Sequence, residues 1–357
     1  RCVYCDFYST TCGEKDKAYI SALTNELRLR ANYLQQDGQM PVIETIYIGG
    51  GTPSTLDTSL LEPIFEALFQ TYNVSDRAEV TIEANPDDLT PRKIKSLHTL
   101  PVNRLSMGVQ TFDDGKLRLL HRRHSGEQAI RAVHDCQDTG FDNISIDLIY
   151  GLPAQSLREW ETDVDTALSL NVQHISAYAL IYEEGTPLWK MRKRHVVEEA
   201  DEELSLEMFS LLMCRLENAG FEHYEISNFA RPGYEGKHNL IYWDCGDYLG
   251  LGPAAHSCMG GKRFYYPPDT DAFLHDTAAP VLDGSCGAED YLILQLRLRK
   301  GLNLEAYKNL YGKEFSTAQL AFVQNCVRAG YASFDGRTLA LTPAGLIVQN
   351  SILAQLL

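Results

Sequence analysis

Two cysteines, Cys2 and Cys5, open the 357-residue chain in "RCVYCDFYST". Their spacing serves a dithiol redox pair, half of a zinc site or an iron-sulfur ligand loop, and alone it does not choose among them. Gly49, Gly50 and Gly51 follow a β-branched run in "IYIGGGTPS", where missing side chains bare backbone N–H and C=O groups to a nucleotide or an amino-acid head group. The spacing fits neither GxGxxG nor a phosphate-binding loop, and a tight turn is the plain alternative. Glu83 in "TIEAN" and Asp147 in "SIDLI" are carboxylates inside strand-like runs. They are costly there unless they meet a ligand or a cation such as Arg104, Arg122 or Arg123. His238, beside Asn239 and just before Tyr242 and Trp243, offers an imidazole next to aromatic surface. A flat cofactor such as haem uses that combination, and a core histidine near aromatic residues gives the same pattern.

These residues need elements to bring them together. Ile20, Leu23, Leu27 and Leu34 predict a helix over 17–36, followed by the strand "VIETIYI". Helices over 58–72, from Thr90-Pro91, over 126–139 and over 156–170 then alternate with strands at 78–84, 103–110, 143–151 and 174–180. Such alternation without tight hairpin signals predicts parallel strands joined by helical crossovers. The strand ends carry Gly49-Gly50-Gly51-Thr52, Glu83, Gln110, Asp147 and Tyr178. Polar groups on five strand ends favour a barrel, where all ends meet at one mouth, over a doubly wound sheet. Beyond Tyr182 come a helix over 201–219, the stretch 223–230 and a Gly-rich run over 237–257. From 288 the texture changes to short helices at 289–299, 304–311 and 316–329, a hairpin turning at Asp335-Gly336 and a last helix over 342–356, which reads as winged-helix-like.

A net charge of -16, with only short basic runs at 122–124 and 190–195, argues against a nucleic-acid partner. Nine scattered cysteines make a poor disulfide framework and suit a reducing cytosol. No apolar run approaches the roughly 18 residues of a membrane span. The chain starts at Arg1 without a methionine, and a missing N-terminus is expected.

In order, the two cysteines followed by Asp6-Phe7, the GGGTP loop, "EANP", "RLSMGVQ" and "DLIYGLP" resemble the radical S-adenosylmethionine (SAM) superfamily. The likeness is to its oxygen-independent coproporphyrinogen III oxidase-like branch, which includes haem chaperones, and runs from residue 2 to about 258 before continuing through the C-terminal module. The resemblance implies an α/β fold: a partial (β/α)6-type barrel lacking its first strand over 1–222, an HNxxYW-bearing extension over 223–287 packed on it, and a small, mostly helical winged-helix-like module over 288–357.

It also implies a [4Fe-4S] cluster on a CxxxCxxC loop, with Cys2 and Cys5 as its second and third cysteines. The first falls ahead of Arg1, so poor cluster assembly is expected of the chain as it stands, with Cys12 a remote substitute. SAM contacts carry over to Gly50, Gly51 and Thr52 at the methionine end and to Glu83, Gln110, Arg122 and Asp147 around it. The oxidases carry an additional cysteine two places after the third ligand, where this chain has Phe7; the chaperones carry HNxxYW, matched in full by residues 238–243. The resemblance therefore implies a cytoplasmic haem chaperone with His238 as iron ligand. Its expected partners are haem, client haem proteins such as membrane-associated respiratory enzymes, and a second copy of itself. The oxidase and an inactive fragment are the rival readings.

Overall fold

The computed structural model describes residues 1–10, 13–34 and 40–357, so Cys12 lies outside the described residues. Five strands, β1 (Val42–Ile48), β2 (Asn73–Ala84), β3 (Arg104–Gln110), β4 (Ile144–Tyr150) and β5 (His174–Ala179), pair in parallel and in sequence order. Two more, β6 (Glu222–Glu225) and β7 (Asn228–Ala230), extend the sheet antiparallel in the order β1-β2-β3-β4-β5-β7-β6. The parallel strands never reverse order, so there is no switch point, and the sheet curls into the half-barrel that the polar strand ends predict.

A period of two explains the curl's two faces. Leu105, Met107 and Val109 on β3 and Ile144, Ile146 and Leu148 on β4 are completely buried against the helices. Each contributes about 1.5–3 kcal/mol by leaving water. The alternate residues, Arg104, Ser106, Gly108 and Gln110 on β3, Ser145 and Asp147 on β4, and His174 and Ser176 on β5, form the other, polar face. Ser125 and Ser156 open the crossover helices Gly126–Thr139 and Leu157–Ser169 with capping boxes closed by Gln128 and Glu159. Each cap is worth about 1 kcal/mol and fixes where the chain turns from strand end to helix.

Several elements differ from the sequence-based expectations. The helix expected over 17–36 breaks into Asp16–Leu29 and Ala31–Leu34 at Arg30. That buried guanidinium pairs with Glu26 one turn back, donates to the Gly250 carbonyl (3.1 Å) and lies over the Tyr266 ring, the last two from a distant segment that periodicity cannot reveal. Helices Asp114–Leu119 and Pro187–Lys193, capped by Asp113 and Thr186, are additional. The stretch 223–230 is a hairpin turning at Ile226-Ser227. The HNxxYW segment forms a short helix, Lys237–Trp243.

Beyond it, β8 (His256–Met259), β9 (Lys262–Tyr265) and β10 (Val281–Ser285) make a small antiparallel sheet. The cysteines depart from the expected set of free thiols, because the fold brings Cys245 and Cys286 to a Cα separation of 6.2 Å and they form a disulfide. The bond ties the end of the HNxxYW helix to the entrance of the last module. In that module β11 (Leu302–Asn303), β12 (Ala332–Phe334) and β13 (Thr338–Leu341) pair as β11-β13-β12. Helices Ala288–Leu296, Leu304–Tyr311 and Thr317–Arg328 pack with them around Leu296, Leu302, Leu339 and Leu341, the winged-helix-like arrangement expected. The last helix is two pieces, Pro343–Ile347 and Gln349–Leu356. No helix among the described residues is long and apolar enough to cross a membrane.

Candidate functional site

The glycine loop leaves β1 at the mouth of the half-barrel. A Cβ at Gly49 would sit 2.5 Å from the Tyr47 ring and 2.6 Å from the Glu83 carboxyl, so a larger residue would force one of them to move. Gly50 turns with φ +81°, and its N–H donates to Glu83 Oε2 at 3.1 Å. Tyr47 donates its hydroxyl to the other oxygen, Glu83 Oε1, at 2.9 Å. A Cβ at Gly50 or Gly51 would meet nothing within 4 Å, so the outer side of the loop is open. Thr52 shapes the exit: its carbonyl accepts from both the N–H and the hydroxyl of Thr55.

Burial pushes the Glu83 carboxyl up to about 7, with the Asp147 charge adding to it, against the opposing bonds from Tyr47 and Gly50. Asp147 lies mid-strand, where burial raises it to about 6 while its bond to Ser176 and the charges of Arg104 and Arg122 pull it back. Gln110 is buried with φ 73°, at the register shift between β3 and β4. A non-glycine residue held there costs about 1–3 kcal/mol and is found where surrounding structure imposes it, often at functional sites.

Arg122 joins three segments. It donates to Asn85 Oδ1 (2.6 Å) and the Gly108 carbonyl (2.5 Å) through Nη2, and to Cys2 Sγ (3.3 Å) through Nη1. Its buried Nε has no partner. Cys2 and Cys5 share one turn, closed by the Cys5 N–H on the Cys2 carbonyl. Val3 between them anchors the loop, donating to Leu120 and accepting from Leu188. Among the described residues no three His, Cys, Asp or Glu side chains converge as a metal site, and Cys2 and Cys5 are free thiols.

His238 enters the same wall from the HNxxYW helix. The carboxylate of Glu79, on β2, accepts the N–H groups of Lys237 and His238 at 3.1 Å each and so fixes the helix's first turn. Nδ1 of His238 bonds the Thr45 hydroxyl at 2.8 Å and Nε2 bonds the Tyr242 hydroxyl at 2.6 Å. The two x residues of HNxxY thus have a physical reason, because they place His238 and Tyr242 one turn apart on one helix face. The imidazole stacks on Tyr47, with centroids 5.1 Å apart and planes 19° apart, and Tyr242 meets Tyr248 edge to face. Burial, helped by the Arg104 charge, lowers His238 to about 4, so it is neutral at ordinary pH.

Of the residues expected from sequence, the structure places Glu83 on the glycine loop and joins Arg122 to Cys2 and to β3, whereas Asp147 stands in the middle of β4 and not at the strand end expected. The sequence reading missed Thr45, Tyr47, Glu79 and Asn85. Of these only Asn85 carried a signal, as part of "EANP". The structure also adds a connection between the two sites, running from Gly50 through Glu83 and Tyr47 to His238.

Comparison with known proteins supplies the remaining evidence. Residues 1–167 match the Radical SAM superfamily and residues 288–348 the HemN C-terminal domain. The proteins named "Heme chaperone HemW" from Lactococcus lactis and Bacillus subtilis are each 33% identical, over 100% and 98% of this chain and 94% of their own. That from Mycobacterium tuberculosis is 34% identical over 100% of this chain and 92% of its own. The solved coproporphyrinogen III oxidase (HemN) of Escherichia coli, described as a radical SAM enzyme, superposes with a TM-score of 0.81 at 20% identity, covering 99% of this chain and 86% of that one, which establishes likeness of fold.

Proposed function

The chain belongs to the HemW haem-chaperone family of radical SAM proteins, and from that premise we propose that it binds haem through His238 and hands it to haem proteins, with a [4Fe-4S] cluster and SAM at the barrel mouth. One observation carries the reading. His238 is a neutral, half-buried imidazole whose Nδ1 is engaged by Thr45, while Nε2 is capped by a phenol on the helix surface. A ligand for iron needs a deprotonated nitrogen whose orientation is fixed through the other one, and this residue has both. The rings of Tyr47, Tyr242 and Tyr248 supply aromatic surface for a macrocycle beside it.

The mouth residues fit the other two groups. Arg122 directs a guanidinium N–H at Cys2 Sγ, a contact that favours a thiolate, and its unpartnered Nε leaves donor capacity at the same place. Gly50, Gly51 and Thr52 present an open backbone edge to the methionine end of SAM. Glu83 and Asp147 would accept hydrogen bonds from its donors, and the Gln110 amide would bond its hydroxyls. When bound, the cluster supplies one-electron chemistry and SAM its cleavable sulfonium. The barrel's role is to hold both and to limit water.

The test is a haem titration of the purified protein followed in the Soret band, repeated with His238→Ala. Loss of the axial-imidazole spectrum and at least about 10-fold weaker binding are expected, since a metal-ligand bond is lost. Unchanged affinity and spectrum remove His238 from the role and overturn the reading.

A further inference from the structure

Tyr47 touches both ends of the wall. Its hydroxyl holds Glu83 Oε1 at 2.9 Å, and its ring carries the His238 imidazole at 5.1 Å. The other oxygen of Glu83 accepts the Gly50 N–H at 3.1 Å, so the carboxylate is shared between the strand and the glycine loop. The absent Cβ of Gly49 permits this packing, leaving no slack between Tyr47 and Glu83.

We propose that Tyr47 couples the two ligand sites, so that SAM at the glycine loop weakens haem binding at His238 and haem weakens SAM binding by the same factor. This rests on His238 being the haem ligand. SAM brings an ammonium group, ribose hydroxyls and a sulfonium charge to a loop whose carboxylate already serves one amide and one phenol. A charged donor makes the stronger bond to a carboxylate, and one that reaches Oε1 competes there with the neutral phenol. Tyr47 then loses the bond that orients its ring, and His238 loses the flat surface against which it is stacked. Thr45 and Glu79 still hold the imidazole and its helix, so haem binding persists at reduced affinity. The loss of one such hydrogen bond corresponds to about a 2- to 10-fold change in a dissociation constant. Linkage makes the effect reciprocal for the two ligands.

The experiment measures the haem dissociation constant by Soret titration with and without saturating SAM, and SAM affinity calorimetrically with and without haem. Wild type and Tyr47→Phe are compared, the latter keeping the stacking ring and removing the donor. In wild type, haem binding should weaken about 2- to 10-fold with SAM, and SAM binding by the same factor with haem. In Tyr47→Phe haem should bind with one affinity whether SAM is present or not. Equal wild-type affinities, tighter haem binding with SAM, or full SAM dependence surviving in Tyr47→Phe each overturn the coupling. The wild-type comparison decides the coupling even where the variant does not fold. Retention of the wild-type haem spectrum in His238→Ala overturns instead the reading on which it rests.

Discussion

Replacing Tyr242 by phenylalanine should tighten haem binding. In the ligand-free protein the phenol bonds Nε2 of His238 at 2.6 Å, and Nδ1 is occupied by Thr45 at 2.8 Å. On the proposed reading, with Thr45 keeping Nδ1, iron takes Nε2 and the bond to the phenol breaks. A hydrogen bond of this kind stabilises the ligand-free state by about 0.5–1.5 kcal/mol net. Tyr242 is 39% exposed, so its released hydroxyl goes to water without a large further cost. In Tyr242→Phe the bond is absent from the outset, and binding no longer opposes it. At about 1.4 kcal/mol per decade the haem dissociation constant should fall about 2- to 10-fold. The ring stays, so the edge-to-face contacts with His238 (5.1 Å) and Tyr248 (4.5 Å) do not change with the substitution. Soret titrations of wild type and variant at one pH measure the ratio directly. Unchanged or weaker binding by Tyr242→Phe would refute the capping argument, since the hydroxyl would then be holding the porphyrin or its iron.

Two further expectations concern the mouth. Gly49→Ala places a methyl group 2.5 Å from the Tyr47 ring and 2.6 Å from the Glu83 carboxyl, an overpacking that costs about 1–3 kcal/mol; a lowered thermal midpoint and weaker SAM binding should follow, and a wild-type midpoint would contradict the packing. Glu83 is raised from 4.5 to about 7, mainly by burial, so between those values the folded protein keeps a proton that the unfolded chain has released, and stability falls as pH rises through that window. Glu83→Gln has no such proton to keep, so its thermal midpoint relative to wild type should climb from pH 5 to pH 8; a difference that stays flat across this range would show that Glu83 is not so perturbed.

The half-barrel was legible because helix and strand patterns alternate without tight hairpin signals and polar groups recur towards the strand ends, as at Glu83 and Gln110. Glu83 and Asp147 were legible in themselves, since a carboxylate in a buried strand is costly and draws attention. Thr45 and Tyr47 were not, because threonine and tyrosine are ordinary strand residues and nothing local marks them. Their role is conferred by a helix that begins at Lys237, almost two hundred residues later. Glu79 was hidden in the same way: its partners are backbone N–H groups, and backbone leaves no trace in a motif. The disulfide between Cys245 and Cys286 depends on two segments meeting, which spacing does not report.

The register between β1 and β2 explains why one tyrosine can serve both ends. Thr45 pairs with Glu79 and Tyr47 with Thr81, so Tyr47 stands level with the point midway between Glu79 and Glu83. Glu79 holds the HNxxYW helix and Glu83 holds the glycine loop, and four residues of strand separate them by about 13 Å. No direct contact between two bound ligands is needed across that distance if a side chain spans the gap. A tyrosine at the midpoint does so, with its ring against the imidazole and its hydroxyl on the carboxylate. Because residues on a strand alternate faces, a slip of one place would put Ile46 or Ile48 there and turn Tyr47 toward the helices. The register therefore builds the connection, and neither site's own residues would reveal it if considered alone.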